Sequence, residues 1–166
     1  MDTQYYMDGE NRIYTGDMQP GDRKATEEDI RARFGDPLEN ARTAKLAEIS
    51  AAFAAAEATG HLLSSLGFTI DANERANRDT DGLITILEAT GGASTYFCDH
   101  NNVMREVSLE DVKTIRLEII RHGQELYAKK WALRSAAEHA ASIEELEAIT
   151  WSDPAATGEG SDNETR

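Results

Sequence analysis

The stretch NRDTDGLITILE, residues 77–88, holds the residue types and spacing of a calcium-binding loop. An EF-hand loop places oxygen ligands at its first, third and fifth positions, a glycine at the sixth and a glutamate at the twelfth. Asn77, Asp79, Asp81, Gly82 and Glu88 fall on those positions, and Ile84 sits where such loops carry an aliphatic residue. The motif also needs a helix on each side. Upstream, GFTIDANERA is too short and too strand-like for an entering helix; downstream, ATGGAS puts two glycines where an exiting helix would run. The first ligand is Asn rather than the usual Asp, and no second loop pairs with this one. Residues 74–89 instead fit an amphipathic helix with Ala76, Thr80, Leu83, Ile84 and Leu87 on one side, which leaves Asp79 and Asp81 to solvent. A calcium-dependent binding module using Asn77, Asp79, Asp81 and Glu88 is kept as the alternative reading.

Other chemistry has less behind it. His61, His100, His122 and His139 show no metal-ligand spacing, and a chain with one cysteine has no CxxC. Cys98 lies in STYFCDHNN as a small strand residue, with no neighbour that would make it a thiolate. Ser64 and Ser65 lack a nucleophile-elbow pattern, and there is no phosphate-binding glycine loop. His122 falls inside a long helix near Glu118 and Glu125, where an ion-paired histidine is the ordinary reading. Carboxylates are so common that no pair stands out as acid and base. The sequence therefore points to no enzyme, no catalytic residue and no cofactor.

Composition narrows the partners. The 166 residues carry 31 acidic and 17 basic side chains, a formal net charge of −14. Such a surface repels nucleic acid and anionic membranes. A single cysteine excludes an internal disulfide scaffold. No apolar run reaches the length of a membrane span, no leader is recognised, and a cytoplasmic protein is expected.

The elements follow from turn and cap signals. Asp8-Gly9 between two short aromatic or aliphatic runs predicts a β-hairpin, and QPGD, residues 19–22, a second turn. Thr26 with Asp29 caps a short helix that Gly35 and Pro37 end. The Ala-rich segment from Pro37 to Gly60 is a helix, with Leu38, Ala41, Leu46, Ile49 and Phe53 near one face. GFTID is a short strand, and residues 95–109 form a hairpin around Asp99–Asn102. Ser108 with Asp111 opens the longest helix, whose broad apolar stripe includes Val112, Ile115, Ile119, Leu126, Tyr127, Trp131 and Leu133. Trp131 is expected to pack against the Ala-rich helix near Phe53 or Ile49. Ser142 with Glu145 opens a closing helix that turns Ile143, Leu146 and Ile149 inward. Helices are expected over about residues 38–58, 74–89, 108–139 and 142–150. The fold class is α+β, mainly helical, with short hairpins and one long C-terminal helix. Three parts result: residues 1–36, residues 37–151, and a disordered tail over residues 152–166.

The order of these pieces carries a resemblance. From about residue 44 to 151, the Ala-rich helix, GFTIDANERAN with a following DGL, TYFCDHNNVMREVSLEDV, HGQELYAKKWAL and ASIEELEAI closing on Trp151 resemble a small bacteriophage and prophage domain of uncharacterised function. That domain recurs in tail-fibre and tail-fibre-assembly proteins. The N-terminal YYMDGENRIYTGDMQPGDRKATEED is similar to the start of many tail-fibre assembly proteins. The resemblance brings no catalytic residues. It implies a tail-fibre assembly chaperone or a small fibre or baseplate component, in the bacterial host cytoplasm during assembly or in the virion tail. Its expected partners are a tail-fibre or baseplate protein and further copies of itself. Tyr5, Tyr6, Ile13 and Tyr14 are the expected contact residues, because a hairpin that small cannot bury both faces and tyrosine is enriched at interfaces.

Overall fold

A computed structural model describes residues 3–151. The chain runs β1 (Tyr5–Met7), β2 (Ile13–Thr15), β3 (Arg23–Lys24), α1 (Glu27–Phe34), α2 (Pro37–Thr59), β4 (His61–Leu63), β5 (Thr69–Asp71), α3 (Glu74–Thr90), β6 (Ser94–Cys98), β7 (Met104–Ser108), α4 (Leu109–His139) and α5 (Ile143–Ala148). This is the mainly helical α+β class read from the sequence. The tail expected over residues 152–166 lies outside the described residues.

Local chemistry sets the boundaries. Thr26 and Ser108 form full capping boxes with Asp29 and Asp111, each hydroxyl accepting from the N3 amide while the N3 carboxylate accepts from the cap amide. Asp36 accepts from the Leu38 and Glu39 amides ahead of Pro37, and Asn73 accepts from Ala76. Gly91, in the left-handed conformation, closes α3 by donating to the Leu87 carbonyl.

Two hairpins share one turn chemistry. In the first, Asp8 accepts from the Glu10 and Arg12 amides, and Asn11 takes a left-handed φ of 60°. In the second, Asp99 accepts from the Asn101 and Val103 amides, and Asn102 has φ 58°. Each aspartate also holds an arginine of the returning segment, Arg12 or Arg105. Asparagine tolerates the left-handed region better than most residues, so it occupies the corner that Gly9 was expected to make.

α4 is the spine. Its first half packs Val112, Ile115 and Ile119 with Ile84 and Leu87 of α3, Ile70 of β5, and Phe97 and Val107 of the β6–β7 hairpin. Its far end packs Ala137, with Ala140, against Ile49 of α2 and Leu146 of α5. Arg42 of α2 clasps that end, donating to the carbonyls of Ala137 at 3.2 Å and Ala140 at 2.9 Å while pairing with Glu39. A cation here completes the orphan carbonyls and suits the helix dipole. Lys45, one turn on, donates to the Ile149 carbonyl at 3.1 Å.

Two sequence expectations are corrected, and one element was not foreseen. Trp131 is 61% exposed. The place beside Phe53 is taken by Tyr127, with ring centroids 4.8 Å apart, and by Trp151 at 6.4 Å. Ile143 is exposed, and only Leu146 of α5 is fully buried. β5 has a partner that the sequence did not signal: β4 pairs with it antiparallel, His61 opposite Asp71.

Truncating Arg42 leaves carbonyls of a half-buried helix end without their charged donor. Arg42→Ala is expected to cost about 2 kcal/mol by chemical denaturation, and Arg42→Lys to restore only part, because an ammonium cannot fork to two carbonyls. Truncating Trp131 removes little buried area, so Trp131→Ala is expected to cost less than about 1 kcal/mol in the same assay. Asp99 gives a pH signature. The Val103 amide, then Arg105 and the Asn101 amide, hold its carboxyl below the usual aspartate value against the opposing effect of burial. A carboxyl depressed in the folded state stabilises fully above the unfolded value near ~3.9 and loses that contribution as pH falls through the folded value. Melting temperature should therefore fall more steeply below about pH 4 in the parent than in Asp99→Asn.

Candidate interaction surface

The apolar residues of α4 divide between two faces. Val112, Ile115, Ile119, Leu126 and Ala137 are buried. Leu117, Ile120, Tyr127 and Trp131 are exposed. With Gln124 these outer residues follow alternating steps of three and four, the spacing of a helix-packing seam. Ridges of that kind normally lie in the grooves of another helix.

Beside the seam runs a groove of about 270 Å³ between α2, the start of α3 and α4. Phe53, Ala72, Ile119, Ile120, Leu126 and Tyr127 supply its apolar lining, and Glu57, Asn73, Glu74 and Asn77 its polar edge. Gly123 helps to open it: a Cβ placed there would meet nothing within 4 Å. Charge is polarised along α4. Lys130 stands 4.1 Å from the Phe53 ring centroid, Lys129 4.6 Å from that of Trp151, and Arg134 5.6 Å from that of Trp131. The acidic edge lies at the other end of the groove, around Glu57 and Glu74.

The calcium-loop residues are not in a loop. Residues 74–90 form one helix, α3, and this corrects the alternative reading. Asp79 faces Arg75 at 3.6 Å, Asp81 pairs with Arg116 at 2.9 Å, and Glu88 with Lys113 at 3.3 Å. Asn77 turns towards the groove instead. Among the described residues, no group of three or more His, Cys, Asp or Glu side chains is arranged to hold a metal ion.

The expected N-terminal contact residues form a small sheet of order β2-β1-β3. Tyr5, Tyr6, Ile13 and Tyr14 are all half-buried. Tyr5 packs on Phe34 of α1 with centroids 5.6 Å apart, and Tyr6 on Tyr14 at 5.8 Å. The Tyr14 hydroxyl donates to Asp22 at 2.6 Å, which raises the phenol's pKa. The sheet thus satisfies part of its own aromatic surface through β3 and α1.

Two juxtapositions were not legible in the sequence. The His61 and His100 rings stack with centroids 4.6 Å apart, and His100 Nδ1 lies 2.6 Å from Asp71. They meet because the β6–β7 turn folds onto β5, where the His100 amide donates to the Thr69 carbonyl. The outer seam of α4 was the second. Its residues were read as part of one broad stripe, and the three-four spacing of 117, 120, 124, 127 and 131 was the available signal.

Fold and surface together define a helical α+β unit with an uncovered helix-packing seam. The chain belongs to the DUF4376 family, a domain of unknown function, which it matches over residues 40–153. The match starts in the first turns of α2, so β1–β3 and α1 lie outside it. No curated protein and no solved structure matches the chain.

Proposed function

We propose that this is a non-enzymatic protein of bacteriophage tails that works by protein–protein contact, as a tail-fibre assembly chaperone or a small component of the fibre or baseplate. One observation carries the contact part of the reading: Leu117, Ile120, Tyr127 and Trp131 form an exposed apolar seam on a helix whose opposite face already holds the core. Large side chains collected in this way mark interaction sites. Tyrosine and tryptophan are also enriched among the residues that carry interface energy. The tail assignment is supported by the resemblance of residues 44–151, and of the tyrosine-rich N-terminus, to proteins of fibres and their assembly. Such a protein works in the host cytoplasm during assembly or in the virion tail. Contacts through Tyr5, Tyr6, Ile13 and Tyr14, with a fibre or baseplate subunit or with a further copy of the chain, belong to the same proposal.

Co-purification tests it. The full chain is co-expressed with a phage tail-fibre protein as the candidate partner, and the tagged complex is recovered. Leu117→Ser with Trp131→Ser should melt within a few degrees of the parent, since both side chains are more than half exposed. The double variant should nonetheless lose the fibre protein. A chain starting at Thr26 should keep its melting temperature and lose part of the complex if the N-terminal tyrosines dock. A parent that recovers no fibre protein, or variants that recover it undiminished, would contradict the proposal.

A further inference from the structure

The groove beside the outer seam has a chemistry of its own. Its floor is apolar, from Phe53, Ile119, Ile120 and Tyr127. Its edge carries two carboxylates, Glu57 and Glu74, among the carboxamides of Asn73, Asn77 and Gln124. Glu57 lies half-buried in the last turn of α2, where no basic residue is present. A helix C-terminus is already the negative end of its dipole, so a carboxylate there adds to that negative potential. Among the described residues, Glu57 has no ion-pair partner, and Asn77 Oδ1 is shut from solvent without a hydrogen bond. Across the groove, Glu74 has only a long contact with Arg78, at 3.5 Å.

We infer that the groove and seam bind an amphipathic helix of a partner protein, whose apolar residues lie along Leu117–Trp131 and whose lysine or arginine reaches Glu57. This rests on the reading of the chain as an interaction protein and names the chemistry of what it binds. Three-four spacing selects a helix as occupant. The acidic edge selects a basic one, because a cation there gains the carboxylate and the dipole together. The apolar floor takes the aliphatic stem of the same side chain. A second copy of this chain is a poorer occupant. Each copy already carries a net charge of −14, which opposes bringing two seams together. Residues 152–166 are a poor occupant as well, since they hold four acidic residues, one arginine and no large apolar side chain.

The test uses the full-length protein and labelled synthetic peptides, read by fluorescence anisotropy. One peptide is an amphipathic helix with leucines on one face and lysines on the other. A second carries glutamates in place of the lysines, and a third carries serines in place of the leucines. Only the Leu/Lys peptide should bind. Glu57→Gln should weaken it about tenfold. Gly123→Leu, which fills open space in the groove, should do the same. Glu147→Gln, on exposed α5, removes the same charge elsewhere and should leave binding unchanged. Equal binding by all three variants, or equal binding of the Leu/Glu or the Ser/Lys peptide, would overturn the inference. A concentration-dependent dimer in sedimentation that Gly123→Leu abolishes would overturn it in favour of a second copy. No tail protein takes part, so failure here is distinct from failure to recover a fibre protein.

Discussion

A 31-residue helix with apolar side chains on two faces is the constraint on which the molecule depends. Among the described residues, the rest of the chain covers one of those faces and leaves the other exposed. The inner face dominates the energetics: Val112 and Ile115 are completely buried and Ile119 nearly so, and each such side chain contributes about 1.5–3 kcal/mol. The rest of the fold is arranged to cover that face. α3 and the β6–β7 hairpin close over its first half, and α2 with α5 closes over its far end. Arg42 and Lys45 tie α2 to the last carbonyls of that far end and of the segment that follows it. With both coverings in place, nothing in the described chain is left to lie over Leu117, Ile120 and Trp131.

How much of this was legible depends on the range of the interaction involved. Helix starts were readable because a cap is a contact between residues three apart: Thr26 with Asp29, Ser108 with Asp111 and Ser142 with Glu145 all meet as the sequence implies. The inner faces of α2 and α3 were readable too, because each has one apolar side and Ile49, Phe53, Ile84 and Leu87 follow it. α4 was not readable in the same way. Its apolar residues span more than one face, and periodicity cannot say which flank the chain covers. Trp131 was therefore assigned to a place that Tyr127 and Trp151 occupy. β4 was missed because three residues cannot show alternation, and its partner lies beyond a tight turn at Gly67. The calcium pattern matched a string while its flanks lacked helices to frame a loop. The structure runs α3 straight through it.

Electrostatics sharpen what the uncovered face is suited to. Most carboxylates of α3 have a partner: Asp79, Asp81 and Glu88 each face an arginine or lysine. Among the described residues, the carboxylate of Glu57 has no such partner, although it stands half-buried at the negative end of a helix. A large negative net charge favours the approach of a basic partner. An apolar seam, a groove opened by Gly123 and an acid with no ion-pair partner among the described residues together support the proposed basic helix as occupant.

The central claim is that the outer face of α4 is free in the isolated protein and becomes covered when a partner binds. Trp131 lies on that face, and replacing Trp151 by phenylalanine makes it the sole indole. Its emission and its quenching by acrylamide then read the coverage directly. The account predicts red-shifted, readily quenched emission for the protein alone at low concentration. It predicts a blue shift with protection from quenching when the Leu/Lys helix is added. Blue-shifted, protected emission from the dilute protein alone would mean that the face is already buried, and would contradict the account.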